Sequence, residues 1–315
     1  MTNKVTMRKM NILKATLVFA SVCFSFIGNT QGDPSYRQNQ FNILMLNPAQ
    51  AGANNYSEIS SLATNQWIGM PGAPVTYTAS GNFKVFDNFG IGVSVLADKY
   101  GPVKLTKSDI NLAYHLRLTK NWKLGVGVKV SMSDTYIDMN EIQTIVGNDP
   151  AMMNSLRTGF ALNGGYGALV YNKYFYAGFS QPRIGKTSFL NQNMTQFVDT
   201  RTGMIAYVGA NIPVNAIVDF RPNIVSRYVK NTPYNLDINT IFTMNKVLDL
   251  GVSYQIASGI GMIMGYEFKH KFYVGYSYSY PINSLNRVTK QSHEIALRYR
   301  FAEKSTRTQS PRFFL

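Results

Sequence analysis

The sequence predicts an all-β chain: a transmembrane antiparallel β-barrel of about fourteen strands, with short periplasmic turns and longer extracellular loops. Three observations predict it. Apolar residues alternate with small or polar ones over stretches of about ten residues or more, long enough for a tilted strand to cross a bilayer. Every second connection between these stretches is tight while others are long, the asymmetry of barrels in outer membranes. The composition is poor in charge, at 15%, and rich in aromatics, with 20 Tyr and 19 Phe in 315 residues. A mean hydropathy of -0.11 fits this fold, because lipid-facing and lumen-facing residues average close to zero.

In chain order, residues 1–32 read as a signal peptide. Lys4, Arg8, Lys9 and Lys14 precede an apolar run from Ala15 to Ile27 that is too short for a spanning helix. Gly28 to Gly32 then offer small and polar residues, with cleavage expected after Gly32 or nearby. Cys23, the single cysteine, leaves with the signal, so the mature chain has neither a disulfide framework nor a cysteine metal site. The formal charge of +15 falls to +11 once the four signal cations are gone. Residues 33–56 form an N-terminal periplasmic or plug segment, residues 57–301 the barrel, and residues 302–315 a periplasmic tail.

The strand candidates are 57–67, 75–86, 88–98, 104–119, 121–133, 157–171, 173–181, 201–211, 216–228, 234–244, 246–256, 259–269, 271–280 and 290–301. The clearest is 121–133, with Trp122, Leu124, Val126, Val128, Val130 and Met132 on one face and Lys123, Gly125, Gly127, Lys129 and Ser131 on the other. Candidate 57–67 alternates poorly, 173–181 is short, and Pro222 interrupts 216–228. An even count puts both termini on the periplasmic side. In the last strand, Ile295, Leu297, Tyr299 and Phe301 face outward, and Glu294, Arg298 and Arg300 inward. The lumen positions carry Lys123, Lys129, Arg117, Arg298 and Arg300 beside Asp109, Asp249, Glu267 and Glu294, which suits paired charges in a filled interior as well as an anion pore.

The chain does not read as an enzyme. Hydrolysis needs a nucleophile, a base and an orienting group, and His115, His270 and His293 lie apart, with no Ser-His pairing visible. Asp134, Asp138 and Glu141, in a long connection expected over 134–156, lack calcium-loop spacing. No catalytic, metal or cofactor site is expected. The glycine pairs precede no helix, so phosphate binding is not indicated, and they read as room for strand curvature and close lumen packing. Cations are scattered through turns and alternate strand positions instead of clustering on a helix, which excludes nucleic acid as a partner and points to outer-membrane lipid.

Two stretches exceed generic barrel chemistry. One is Gln38 to Gly52, with Asn47-Pro48-Ala49-Gln50-Ala51-Gly52; the other runs Asn65-Gln66-Trp67-Ile68-Gly69-Met70-Pro71-Gly72-Ala73-Pro74-Val75-Thr76. With the His293-Glu294-Ile295 strand and the closing Pro311-Arg312-Phe313-Phe314, they resemble the PorP/SprF family of type IX secretion outer-membrane proteins of the Bacteroidota. Gln50 departs from an aromatic found in many members, and Asn65 from a basic residue. The resemblance implies a non-catalytic outer-membrane component supporting export or surface anchoring of secreted proteins, gliding adhesins among them. It implies as partners the periplasmic ring, peptidoglycan-linked subunits and the C-terminal domain of secreted cargo. A small-solute pore or transporter is the competing function. Asn47, Pro48, Gly52, Gln66, Trp67, Pro74, Pro311 and Arg312 are the family-motif positions. Asn47-Pro48 reads as a turn dipeptide, Pro71 to Pro74 as a rigid extracellular turn, and Trp67 as a girdle aromatic.

Overall fold

A computed structural model describes residues 36–41, 43–138, 141, 155–157, 159–185, 187–190, 196–199, 203–229, 234–256, 258–283, 287, 289 and 291–301. The signal peptide and the tail, with Pro311 and Arg312, lie outside the described residues. Fourteen antiparallel strands form the wall: β1 (Glu58–Asn65), β2 (Val75–Phe86), β3 (Phe89–Tyr100), β4 (Val103–Arg117), β5 (Lys123–Ile137), β6 (Ala161–Tyr171), β7 (Phe175–Gln181), β8 (Gly203–Ala210), β9 (Val218–Val229), β10 (Asn235–Met244), β11 (Leu248–Gln255), β12 (Gly259–Phe268), β13 (Phe272–Pro281) and β14 (Ser292–Arg300). Each pairs with its sequence neighbours. Pairing of β1 with β14, from Glu58 opposite Arg300 to Asn65 opposite His293, closes the ring, so no wall strand is left as a free edge for lipid to meet.

The alternation sorts the side chains as expected. On β5, Val126, Val128, Val130 and Met132 are exposed outward, whereas Lys129 and Ser131 are buried inward. Outward aromatics gather near the turn-side ends, including Phe86, Trp122, Tyr174, Phe175, Phe268, Phe272, Tyr299 and Phe301, where an interfacial belt belongs. Among the described residues no helix is long and apolar enough to cross a membrane.

Three details revise the expectations. Strand β5 runs to Ile137, so Asp134 belongs to the wall and not to a loop; it accepts bonds from Arg157 Nε (3.1 Å) and Nη2 (2.6 Å). Those hydrogen bonds hold the Arg157 guanidinium above its ordinary pKa. Leu156–Arg157, Thr187–Leu190, Gln196–Asp199 and Ile212–Pro213 form additional short strands. Pro222 lies inside β9 but breaks only one ladder. Its pairing with β10 is continuous, whereas the β8 side jumps from Gly209 opposite Asn223 to Ile212 opposite Phe220. Proline has no N–H to give that ladder.

Two hairpin turns place non-glycine residues at positive φ, Asn245 and Lys246 (50° and 58°) and Lys269 and His270 (49° and 55°). These are the twisted two-residue turns that favour Asn-Gly. A left-handed residue costs roughly 1–2 kcal/mol unless it is Gly or Asn. Replacing Lys269-His270 by Asn-Gly is therefore expected to stabilise the barrel by about 1 kcal/mol after glycine's unfolded-state entropy is counted. A higher denaturant midpoint in detergent checks this; an unchanged or lower midpoint refutes it.

Candidate functional site

The lumen is occupied by the chain's own amino-terminal segment. Residues 36–54 fold as three short turns, Asn39–Phe41, Ile43–Leu46 and Pro48–Gln50, and nearly all are buried. Asn47-Pro48 explains the third. Asn47 has extended backbone (φ -142°) and its Oδ1 accepts the Ala49 N–H at 2.9 Å, capping the turn. Pro48 follows at the first helical position, where its fixed φ fits and its missing N–H costs nothing. The Asn47 amide also donates to Ala168 O (2.9 Å), Phe179 O (3.4 Å) and Tyr207 Oη (3.1 Å), reaching β6, β7 and β8 at once.

Wall glycines make the room. A Cβ on Gly127 would overlap the backbone of Pro48 and Ala49, one on Gly90 that of Ala51 and Gly52, and one on Gly167 the Asn47 amide. Gly52 itself has φ +68° and faces Gly90, so neither partner can carry a side chain. The Gly52 N–H donates to Asn82 Oδ1 at 2.6 Å. His115 closes the same end: its Nε2 donates to Ala51 O at 2.7 Å, and its Nδ1 shares a hydrogen bond with the Tyr171 hydroxyl at 3.0 Å. Because a carbonyl can only accept, the first bond places a proton on Nε2. His115 is thus a positioning group for the segment. His270 sits in its turn as expected, and His293 Nδ1 shares a 2.6 Å hydrogen bond with the Tyr276 hydroxyl.

Buried charges pin the segment at several heights. Glu294 accepts the backbone N–H groups of Arg37 (2.8 Å) and Gln38 (3.0 Å). Lys129 donates to Met45 O (2.7 Å) and to Asp109 (3.1 Å), which also takes Ser131. Arg227 pairs with Asp237, and both reach Asn39. Glu267 is shared by Arg298 (3.2 Å) and Arg300 (2.8 Å), and Asp249 faces Arg221 at 3.1 Å. Of the anticipated lumen cations, Arg117 is instead exposed at the turn-side rim and Lys123 is half-buried there over the Tyr171 ring. The best-formed voids among the described residues hold about 20 Å³ and 10 Å³, room for about one water each. The larger is lined by Gln50 and Gln40, the smaller by Arg221 and Asn223.

The second motif straps the opposite rim. Gln66 N–H donates to Pro74 O (2.9 Å), closing the loop between β1 and β2. Trp67, half-buried at φ +51°, donates its N–H to Ser292 Oγ (3.0 Å), and Ile68 donates to Gln291 O (2.9 Å). Gly101 N–H reaches Gly72 O at 2.8 Å. Three connections are thereby tied together, which offsets the roughly 1–2 kcal/mol of a left-handed tryptophan.

At the turn-side rim the chain presents Arg117, Lys120, Lys173, Lys246, Lys269 and Lys271, all exposed, against exposed Asp87. Chemically, the assembly offers a filled lumen, a braced loop-side rim and a cationic turn-side rim. No group of three or more potential metal-ligating side chains occurs among the described residues.

Residues 28–299 match the family described as type IX secretion system membrane protein PorP/SprF. No curated protein matches the chain. Among solved structures, the Pseudomonas putida toluene transporter TodX is similar with a TM-score of 0.50 and 10% identity, covering 89% of this chain and 100% of that one. A Pseudomonas aeruginosa FadL homologue has a TM-score of 0.48 and 11% identity, over 85% and 94% of the two chains. At such identity the first likeness speaks for the barrel fold alone.

Proposed function

The chain belongs to the PorP/SprF family of type IX secretion system membrane proteins, and we propose that it serves that system as a non-catalytic, non-conducting scaffold in the outer membrane. The observation that carries this reading is the occupied lumen: a buried amino-terminal segment, held from the wall by Glu294 and Lys129 beside the Arg227–Asp237 pair, lies where a solute would have to pass. In this reading the turn-side rim faces the periplasm and the loop-side rim the exterior. The exposed cations from Arg117 to Lys271 then present a positive collar to the periplasmic ring and peptidoglycan-linked subunits, and the braced loop around Trp67 lies on the side that receives the C-terminal domain of secreted cargo, including gliding adhesins. Charge complementarity of this kind sets on-rate and register more than raw affinity.

The test is affinity capture with the tagged, detergent-solubilised chain from cells that make the secretion system. Ring subunits or a cargo C-terminal domain should co-purify, and Lys246→Glu with Lys269→Glu and Lys271→Glu should reduce recovery of the periplasmic partners while leaving the barrel folded. Recovery of neither class of partner, together with steady conductance by the unmodified protein in planar bilayers, would replace this reading with a small-solute pore.

A further inference from the structure

Traced backward from β1, the described amino-terminal segment runs from the turn side to the loop side of the lumen. Its last residues are at the turn side, where Asn54 Nδ2 donates to Glu58 at 3.1 Å, next to the start of β1. Phe41 is still on that side, with its ring 5.2 Å from Tyr273, the second residue of β13. Going back along the chain, the contacts climb. Gln38 and Arg37 reach Glu294, the third residue of β14 from its loop-side start. Arg37 Nη1 then donates to Gly259 O (2.8 Å) and Nη2 to Ser258 Oγ (3.3 Å), while Gln255 donates to Tyr36 O at 3.3 Å. Gln255, Ser258 and Gly259 are the loop-side end of the β11–β12 hairpin. That point is about 24 Å along the strand from Leu248 at the turn side.

We propose that the mature amino terminus is presented on the loop side of the barrel, across the membrane from the end of β14. The even strand count fixes only where β1 starts and β14 stops, and the segment ahead of β1 undoes that symmetry by traversing the lumen. With cleavage after Gly32, three residues precede Tyr36, and they extend over at most about 11 Å, whereas the apolar band of such a barrel is about 25 Å tall. Given the orientation proposed above, the terminus faces the cell exterior, so any tag or partner attached to it meets the medium and not the periplasm.

The experiment uses the full-length chain, whose single cysteine lies in the signal. Ser35→Cys is labelled with a membrane-impermeant maleimide in intact cells, beside Met70→Cys in the loop-side strap and Asp87→Cys in the β2–β3 turn. A parallel strain carries an epitope inserted between Gly32 and Asp33, and mass spectrometry of the mature protein reads the cleavage site. The expected result is that Ser35→Cys or the epitope, like Met70→Cys, is reached in intact cells, whereas Asp87→Cys reacts only after permeabilisation. If Met70→Cys and Asp87→Cys behave so but Ser35→Cys and the epitope are reached only after permeabilisation, or in neither state, the inference is overturned. If the two controls themselves exchange behaviour, the proposed orientation fails instead.

Discussion

Valine in place of both Gly90 and Gly127 is expected to turn a silent barrel into a conducting one. Each new Cβ would overlap main-chain atoms of residues 48–52, and main chain cannot swing aside as a side-chain end can. Overpacking ordinarily costs about 1–3 kcal/mol per site when neighbours can adjust; two sites facing one rigid stretch add their costs against the same docking equilibrium. The wall is a separate closed ladder, continuous from β1 through β14, so the strain falls on the segment and not on the strands. Planar bilayers should record steady openings from the double variant, rarer openings from either single one, and none from the unmodified chain. Gly164→Ala is the control, because a Cβ there would meet nothing nearer than Lys129 O at 3.8 Å. A folded double variant that stays silent would mean that something other than residues 36–56 closes the lumen.

The wall was legible in the sequence because a period of two with one face on lipid admits a single phase, and a slip of one residue would turn every strand inside out. Strand ends were less so. Val103 and Ile137 extend β4 and β5 on the loop side through mixed residues that carry no lipid-facing pattern. The conformation of residues 36–54 was hidden for another reason: turns of three or four residues have no periodicity to read, and their shape follows from Gly90, Gly127 and Gly167 on distant strands. Asn47-Pro48 was readable as a turn, but its contacts to Ala168, Phe179 and Tyr207 were not, since nothing local to the dipeptide names them. Arg227 and Asp237 could have been placed in the lumen from the phase of β9 and β10. Their bonds to Asn39 and the Glu294 bonds to Arg37 and Gln38 join residues about 190 to 260 positions apart, and only the closed barrel brings such partners together.

Lys129→Met should be among the most destabilising single changes in the chain. The Lys129 side chain is fully buried and that of Asp109 nearly so. The ammonium holds both that carboxylate and the Met45 carbonyl. Removing it leaves a buried anion with Ser131, Ser94 and the more distant Lys107 as its remaining partners, and breaking a buried pair from one side costs about 3–5 kcal/mol. The loss is one of desolvation without compensation, so it should be relieved by removing the other charge. Lys129→Met combined with Asp109→Leu is expected to recover most of the stability, with the two changes far from additive. The surface pair Arg157–Asp134 supplies the contrast. The Arg157 side chain is 63% exposed, so water replaces its partner and Arg157→Met should cost far less than Lys129→Met. Denaturant midpoints of Lys129→Met, Asp109→Leu, their combination and Arg157→Met, measured in one detergent, decide the matter. A Lys129→Met loss no larger than that of Arg157→Met, or a double variant no more stable than Lys129→Met alone, would show that the lumen is wet enough to solvate Asp109, and the filled interior would have to be given up with it.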